Sequence, residues 1–265
     1  MDQQTLAQQI PHALTSTEFD WLGRRIPGKA RDNYVRDNTR VMIATDRVSA
    51  FDRSLGCIPF KGQLVTQASL FWFDRIKDIA PNHVVASPDP NVIVCQEYRV
   101  LPVEFVVRAY VTGVTPTSIW YQYSRGARLY CGHRLPDGLK KNAPLPDPIL
   151  TPSTKAAAGQ HDTSLSADEL VASGAITREV LDRATEVALA IFRRGQQIAA
   201  ERGVILVDTK YELGLSDSNE IVVIDEVHTP DSSRFWFRTD YEQRYAAGQE
   251  QDEYDKEYIR LWLAA

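Results

Sequence analysis

Residues 204–236 read VILVDTKYELGLSDSNEIVVIDEVHTPDSSRFW. Two continuous apolar runs, VILV and IVVI, each lead into clustered charge, and a polar turn separates them. Unbroken apolar runs are typical of strands that are buried on both faces, so the stretch predicts a hairpin inside a core. Asp208, Lys210 and Glu212 are spaced by two, and residues two apart on a strand project from the same face. We therefore expect two carboxylates and an ammonium group on one strand face.

More polar side chains follow the second run: Asp225, Glu226, Asp231, Ser232, Ser233 and Arg234. Ionisable groups at the edge of a core are costly unless a metal, a substrate or opposite charge satisfies them. The pattern is typical of an active site. The alternative is a solvated hairpin with one polar face. The continuous apolar runs, and the concentration of charge where they end, favour the active site.

The turn of this hairpin decides which charged groups meet. If the chain turns at Ser216–Asp217, simple antiparallel pairing places Asp225 opposite Asp208 and away from Glu212. A site that uses both Glu212 and Asp225 then requires a strong twist, a bulge or two separate metals.

The composition is that of an ordinary globular protein, with 265 residues, 43% of them hydrophobic and 25% charged. This length accommodates one large domain or two lobes. The net charge of −5 argues against a general nucleic-acid surface, so an anionic ligand requires a local basic pocket.

The cysteines and the terminus indicate the compartment. Cys57, Cys95 and Cys131 form no CxxC pair, so neither a disulfide framework nor a zinc site is predicted. Free thiols are typical of a reducing cytoplasm, where we expect the protein. The N-terminal sequence lacks the features of a signal peptide, and no segment approaches the ~20 apolar residues of a membrane span.

Periodicity predicts a mixture of strands and helices. A hairpin is predicted with its turn at Asp37–Asn38, followed by a helix over Leu64–Ile79. Strands are predicted over Val92–Val100 and Val103–Val111, with a break at Leu101–Pro102 that we interpret as a boundary between two lobes.

The second part of the chain contains a long loop and two capped helices. Residues 132–159 are rich in Pro, Asp and Lys and predict a loop. Ser166, with Glu169 three residues on, predicts a capping box for a short helix. Thr177 caps a long amphipathic helix that ends at Gly203.

Three further clusters are candidates for chemistry. In residues 28–32, GKARD, a glycine and two cations could bind phosphate, but the P-loop pattern is missing and the residues alone favour an exposed basic turn. Residues 45–52, TDRVSAFD, fit an anion-binding loop or a polar connection with internal Asp–Arg pairing. Residues 151–155, TPSTK, offer hydroxyls and a cation, with His161 following; a lone histidine is more often structural.

Arg108 lies inside the apolar run VEFVVRAYVTG, where an arginine needs an anionic partner. That partner is either a carboxylate of the core or a ligand. The spacing alone favours the internal pair.

Seven segments share one order with a known family: GKARDNY, ATDRVSAFD, KGQLVTQASLFWF, PVEFVVRAYVTG, TPSTK, LVDTKYELG and IDEVHTPDSSRFW. From about Gly28 to Trp236 the chain resembles the phosphoribosylaminoimidazole-succinocarboxamide synthase (SAICAR synthetase) family. The resemblance implies an ATP- and Mg²⁺-dependent ligase of de novo purine biosynthesis. Such a ligase joins L-aspartate to 5-amino-1-(5-phosphoribosyl)imidazole-4-carboxylate and releases ADP and phosphate.

The resemblance also implies an α+β fold of two lobes. The smaller, β-rich lobe covers ATP and corresponds to residues 1–101. The larger α+β lobe binds substrate and metal and corresponds to residues 102–265. The nucleotide site of the family is similar to those of protein kinases and ATP-grasp enzymes.

Site roles carry over from the family position by position. The resemblance implies the following assignment: ATP at Gly28, Lys29, Arg31, Arg99, Leu101 and Glu104; Mg²⁺ at Glu212 and Asp225; the ribonucleotide and other substrate contacts at Arg108, Asp208, Lys210, Ser233, Arg234, Asp46, Ser49, Ser118 and Lys155. One departure is Val114, where many members have a serine-like residue, so that Thr115, Thr117 or Ser118 would have to supply the hydroxyl.

The implied chemistry needs no protein nucleophile. ATP activates the carboxylate, most simply as an acyl phosphate, and the aspartate amine then attacks. Asp208 is the candidate base, and Lys210 is the second candidate catalytic residue. A kinase-like phosphotransferase acting on another small metabolite is the alternative, and a non-catalytic nucleotide-binding regulator is a third hypothesis. Neither nucleic acid nor membrane is an expected partner.

Overall fold

The computed structural model describes residues 2–50, 53–154, 163–253, 255, 256 and 259. Contacts divide them into two compact units. The first contains the described residues of Met1–Arg75, Asn82–Tyr98 and Lys256–Ala265, and the second those of Ile76–Pro81 and Arg99–Asp255. None of the helices in the described part of the chain has the length and apolar character that a membrane span requires.

The first unit is built on an antiparallel sheet. Its elements are helix α1 (Gln3–Gln9), 3₁₀ turns at Ile10–His12 and Asp20–Leu22, strands β1 (Arg24–Pro27), β2 (Arg31–Arg36), β3 (Thr39–Ala44), β4 (Arg47–Ala50) and β5 (Arg53–Cys57), helix α2 (Lys61–Ile76), and strands β6 (Val84–Asp89) and β7 (Val92–Gln96). Five strands pair in the order β1-β2-β3-β7-β6, and β4 pairs with β5. The hairpin predicted around Asp37–Asn38 is confirmed as β2–β3, and Leu70 of α2 packs against a buried cluster of the sheet.

The second unit is built on a sheet of six strands. Its elements are β8 (Arg99–Val111), α3 (Ile119–Ser124), β9 (Leu129–Tyr130), β10 (His133–Arg134), β11 (Ala143–Leu150), β12 (Ser153–Thr154), α4 (Ala167–Ala172), α5 (Arg178–Ala200), β13 (Val204–Leu215), β14 (Ile221–Ile224), β15 (Ser233–Phe237) and α6 (Arg238–Ala246). The order is β11-β8-β13-β14, with β12 on β8 and β15 on β13. Each of these pairings is antiparallel, so the long strands β8 and β13 lie side by side.

The hairpin predicted from the two apolar runs is confirmed as β13–β14. Leu206 and Val207 of the first run and the whole of IVVI are buried. Helix α5 covers this sheet with one buried stripe, which consists of Leu181, Ala184, Ala188, Ile191, Phe192, Gly195 and Ala199. The apolar faces predicted for both elements therefore meet in one core.

Both predicted helix caps are confirmed. The Ser166 hydroxyl accepts from the backbone N–H of Glu169, whose carboxylate accepts from the backbone N–H of Ser166. The Thr177 hydroxyl accepts from the backbone N–H of Val180 at the start of α5.

Two predictions of local structure are wrong, and proline is involved in both. Strand β8 continues through Leu101–Pro102, where a register shift against β13 indicates a bulge. Strand β11 lies within the predicted loop of residues 132–159. It reads APLPDPIL and occupies a sheet edge, where a strand tolerates residues that cannot donate a hydrogen bond.

Candidate active site

Strand β13 places one carboxylate between two arginines. Asp208 lies opposite Arg108 of β8 on one side and opposite Arg234 of β15 on the other. The Asp208 Oδ2 accepts from Arg108 Nη1 at 3.1 Å and from Arg234 Nη1 at 2.8 Å. The internal pair favoured for Arg108 is therefore confirmed. Two guanidinium groups converge on this carboxylate, an arrangement that suits an anionic ligand beside it.

The position of Arg108 is fixed by two further hydrogen bonds. Its Nε donates to the Thr151 hydroxyl at 2.9 Å, and its Nη2 donates to the carbonyl of Thr117 at 3.2 Å. The same carbonyl accepts from the Tyr130 hydroxyl at 2.6 Å. The guanidinium plane of Arg108 is thus held by β8, β13 and the segments that precede α3 and β12.

Lys210 lies among carboxylates, two residues along the same face of β13. Its Nζ is 2.5 Å from Glu104 Oε1 and 3.5 Å from Glu212 Oε1. Burial alone would lower the pKa of Lys210. The negative charges of Glu104, Glu212 and Asp225 and the hydrogen bond to Glu104 outweigh that effect and raise the pKa. Lys210 therefore stays charged at neutral pH.

The hairpin register places Glu212 and Asp225 at the same end of the site. Glu212 pairs with Ile224, and the turn occupies residues 216–220. The expectation based on a turn at Ser216–Asp217 is wrong. Asp225 follows directly after β14 with a left-handed backbone (φ 68°), and its charge acts on Lys210.

The loop between β14 and β15 is held by hydrogen bonds to β13 and within the loop itself. The Thr209 and Ser233 hydroxyls lie 2.7 Å apart, and the backbone N–H of Lys210 donates to the carbonyl of Ser232 at 3.0 Å. The backbone N–H of Ser233 donates to the carbonyl of Thr229 at 2.9 Å. These contacts fix Arg234 beside Asp208, on the face of β13 that carries Asp208, Lys210 and Glu212. They hold Ser233 beside Thr209, whose side chain lies on the opposite face.

A buried histidine supports the same loop. His228 is 1% exposed, and its Nε2 hydrogen-bonds with the Tyr211 hydroxyl. Burial lowers the pKa of His228 to about 3, so the ring is neutral. A Cβ at Gly195 of α5 would lie 2.2 Å from His228 Cε1, so the absence of a side chain there gives the ring its place.

Comparisons with known proteins identify the family of the chain. The family model described as SAICAR synthetase matches residues 24–265. The chain belongs to the SAICAR synthetase family.

Close relatives and a solved structure carry the corresponding names. The chain is 46% identical to the phosphoribosylaminoimidazole-succinocarboxamide synthase of Legionella pneumophila (strain Lens), over 96% of this chain and 80% of that protein. It is 52% identical to the chloroplastic phosphoribosylaminoimidazole-succinocarboxamide synthase of Arabidopsis thaliana, over 98% and 64%. It matches the structure of Saccharomyces cerevisiae SAICAR-synthase complexed with SAICAR with a TM-score of 0.81 and 33% identity, covering 95% and 87%.

The predicted α+β fold of the SAICAR synthetase family is thus confirmed, and so is the predicted ligase function. As a member of this family, the chain is an ATP-dependent ligase that attaches aspartate in purine biosynthesis. The resemblance drawn from the motif order identified the family correctly.

The metal residues assigned from the SAICAR synthetase family fit a shared site only in part. Within the described ranges, no group of three or more His, Cys, Asp or Glu residues has an arrangement that could hold a metal ion. Mg²⁺ usually binds one or two carboxylates, with waters and substrate phosphates as its remaining ligands. Glu212 and Asp225, brought to one end of the hairpin by the register, match that mode in type and number.

Two of the three candidate hydroxyls near Val114 lie close together. The Ser118 and Thr115 hydroxyls lie 2.7 Å apart. A Cβ at Gly113, which has a φ of 93°, would lie 2.5 Å from Ser118 Oγ and 3.6 Å from Arg234 Nη1. Gly113 therefore allows the Ser118 hydroxyl and the Arg234 guanidinium to approach the same point.

In the first unit, Gly28, Lys29 and Arg31 form the turn between β1 and β2. The backbone N–H of Gly28 donates to the carbonyl of Arg31 at 2.7 Å. Asp46 precedes β4, and Ser49 lies within it. The two carboxylate oxygens of Asp46 accept from the backbone N–H groups of Leu14 and Gly62, each at 2.9 Å, so Asp46 has a structural role here.

The remaining predicted residues lie on β8 or outside the described part. Arg99, Leu101 and Glu104 all belong to β8; Leu101 is buried. Lys155 lies outside the described residues, as do His161 and Asp162.

Sequence reasoning missed the pairing of Glu104 with Lys210. A usable signal existed, because Glu104 precedes Arg108 by four positions on β8 and so shares its face.

Proposed function

We propose that the charged face of β13 holds the ribonucleotide and activates its carboxylate. Arg108 and Arg234, paired with Asp208, bind anionic groups of 5-amino-1-(5-phosphoribosyl)imidazole-4-carboxylate, and Ser118 contributes a hydroxyl. The assignment of Ser233 to substrate stays a prediction, because its hydroxyl lies beside Thr209 on the opposite face of β13. The observation that supports this proposal is the alternation along β13. One face presents Asp208 between two arginines and, two residues further on, Lys210 among carboxylates.

The chemistry proceeds in two steps. A carboxylate oxygen of the ribonucleotide attacks the γ-phosphorus of ATP, the bond to the β-phosphate oxygen breaks, and ADP leaves. The amine of L-aspartate then attacks the acyl carbon and expels phosphate, leaving an amide. Phosphoryl transfer of this kind depends on positioning and charge neutralisation more than on covalent chemistry by the protein.

Lys210 positions the carboxylate that is to be phosphorylated. Its raised pKa keeps it cationic, so it attracts the substrate carboxylate and then stabilises charge on the transferring group. Glu104 and Glu212 hold its ammonium group in place. When Mg²⁺ is bound, it neutralises phosphate charge, and Glu212 and Asp225 are the residues that would hold it.

The role of Asp208 follows from its partners. As the base proposed from the sequence, it would accept a proton from the attacking amine, a contribution of about 10²–10⁴-fold. Its Oδ2 already accepts from both arginines, so Asp208 also orients the groups that bind the ribonucleotide. Exchanging it should therefore affect ribonucleotide binding as well as turnover.

Residues of the first unit are assigned to ATP. Lys29 and Arg31, with the backbone of Gly28, contact its phosphates. The assignment of Arg99, Leu101 and Glu104, which lie on β8 of the second unit, to ATP stays a prediction. The assignments of Lys155, Asp46 and Ser49 to substrate stay predictions, and both carboxylate oxygens of Asp46 already accept from backbone N–H groups. The similarity of the nucleotide site to kinases, the lobe boundary near residue 101 and a cytoplasmic location stay predictions.

Isotope transfer tests this reaction directly. The ribonucleotide is labelled with ¹⁸O in its carboxylate and incubated with the protein, ATP, Mg²⁺ and L-aspartate. An acyl phosphate requires one ¹⁸O atom to appear in the released phosphate. Unlabelled phosphate would exclude this mechanism. ADP formation with another acceptor and none with aspartate would favour the phosphotransferase.

A further inference from the structure

One arginine donates hydrogen bonds to the turn of residues 28–31, which is assigned to the ATP phosphates. Arg47, the first residue of β4, donates from Nη2 to the carbonyl of Gly28 at 2.8 Å and from Nε to the carbonyl of Lys29 at 3.1 Å. Its Nη1 donates to the carbonyl of Thr15 at 2.6 Å. One guanidinium therefore holds two consecutive carbonyls of the turn and a third from the N-terminal segment.

A buried carboxylate fixes this arginine. Asp32 is 0% exposed, and its Oδ1 accepts from Arg47 Nη2 at 2.9 Å. Its Oδ2 accepts from the backbone N–H of Thr17 at 2.7 Å and from Arg25 Nη2 at 3.2 Å. Burial acts to raise the pKa of Asp32, but the bonds from Arg47 and Thr17 and the charge of Arg47 outweigh it, so the pKa is lowered. Asp32 is therefore ionised at neutral pH, where it anchors Arg47 beside the turn.

The remaining carbonyls of the turn are also satisfied. The carbonyl of Ala30 accepts from the backbone N–H of Thr45 at 2.9 Å and from its hydroxyl at 2.8 Å, and the carbonyl of Arg31 accepts from Gly28. Each of the four carbonyls from Gly28 to Arg31 therefore has a donor within the unit. A turn held in this way keeps its shape without a ligand, so binding a phosphate involves little loss of backbone entropy.

We propose that Arg47, anchored by Asp32, is a positioning residue that preorganises the turn of residues 28–31 for the phosphates of ATP. This inference rests on the proposed assignment of that turn to ATP. Arg47 acts through the backbone of the turn and does not itself contact the nucleotide. Its planar fork distributes donors over four acceptors, which the single ammonium of a lysine cannot reproduce.

The test compares Arg47→Lys with a matched exchange in the same unit. Arg40 of β3 donates from Nε and Nη2 to Glu97, at 2.7 and 2.6 Å, so Arg40→Lys removes another bidentate ion pair. Affinities of all three proteins for ADP with Mg²⁺, and separately for the ribonucleotide, are measured by calorimetry. Amide exchange of residues 28–31 and wild-type turnover are measured alongside.

We expect Arg47→Lys to weaken ADP binding by about tenfold or more, the loss of one or two charge-assisted hydrogen bonds. Ribonucleotide affinity should change by less than about twofold, amide exchange of the turn should accelerate, and Arg40→Lys should retain wild-type ADP affinity. A purely structural role would instead lower stability in both variants and shift neither affinity selectively.

The outcomes separate this inference from the ligase assignment. If the wild-type protein turns over and Arg47→Lys binds ADP with unchanged affinity, the proposed role of Arg47 is overturned and the ligase assignment stands. Wild-type protein that neither binds ADP nor turns over contradicts both. If Arg47→Lys does not fold, Asp32→Asn, which keeps the shape of the anchor and removes its charge, is measured in the same way; unchanged ADP affinity in that variant likewise overturns the inference.

Discussion

Replacing Lys210 with methionine should destabilise the protein by leaving Glu104 without its cation. Removing one partner of a fully buried pair costs about 3–5 kcal/mol, whereas a surface pair contributes ~0–1 kcal/mol. Glu104 is 8% exposed, but the Lys210 side chain is 38% exposed, so solvent screening reduces the cost. We therefore expect Lys210→Met to lower the free energy of unfolding by about 2 kcal/mol.

A double-mutant cycle with Glu104→Gln isolates this interaction. The double variant should be more stable than the sum of the two single losses predicts, with a coupling of about 1–2 kcal/mol. Lys141→Met is the matched control, because Lys141 pairs with the more exposed Glu250 in the same unit, and it should cost under about 1 kcal/mol. Lys210→Met should be inactive, and the double variant should be inactive as well, even though its stability recovers.

Urea unfolding of the four proteins of the cycle and of Lys141→Met, at pH 7 and again at pH 9, provides the measurement. The pKa of Lys210 is raised in the folded protein. Its contribution is therefore fully present below the unfolded value of about 10.4 and is lost only as the pH rises through the higher folded value. The coupling should be equal at the two pH values. Additive losses, or a coupling that disappears at pH 9, would refute the reasoning.

Three further predictions concern the same unit. Asp208→Asn should raise the KM for the ribonucleotide by about tenfold and lower kcat, since Arg108 and Arg234 lose their shared anion; steady-state kinetics with an unchanged KM for ATP is the check. Gly195→Ala should destabilise by about 1–3 kcal/mol because its Cβ would meet His228, while the exposed control Gln197→Ala should cost under about 0.5 kcal/mol in thermal unfolding. His228, with its pKa lowered to about 3, binds its proton only in the unfolded chain between that value and about 6.5, so stability should fall as the pH falls through this range. His228→Gln should make that fall shallower by about 1.4 kcal/mol per pH unit, and an unchanged slope in urea unfolding would exclude the assignment.

The parts of the fold that depend on local pattern were predictable from the sequence. Continuous apolar runs predicted β13 and β14, and the hydroxyls of Ser166 and Thr177 predicted where α4 and α5 begin. These signals lie within a few residues of the structure that they specify.

The parts that depend on pairing between distant segments were not predictable in the same way. The partner of Lys210 is Glu104, 106 positions earlier in the chain, and only the register of β8 against β13 brings them together. Similarly, Arg47 and Asp32 meet because β2 and β4 both start beside the turn of residues 28–31. No spacing rule within one segment contains that information.

The hairpin register shows how a turn misplaced by a few residues changes a site. The polar stretch SDSNE allows several turns, and the one adopted has Asn219 in a left-handed conformation (φ 60°), which asparagine tolerates well. The longer turn shifts Asp225 from Asp208 toward Glu212. Both carboxylates assigned to Mg²⁺ thereby lie at the open end of the hairpin, where their charges act on Lys210.

The most direct test of the central claim is a crystal structure of the protein with the ribonucleotide bound. We predict electron density for its anionic groups against Arg108, Arg234 and Lys210, with the carboxylate nearest Lys210 Nζ. Density at another surface, with the pairs of Asp208 and Lys210 unchanged, would contradict the assignment of β13 as the site.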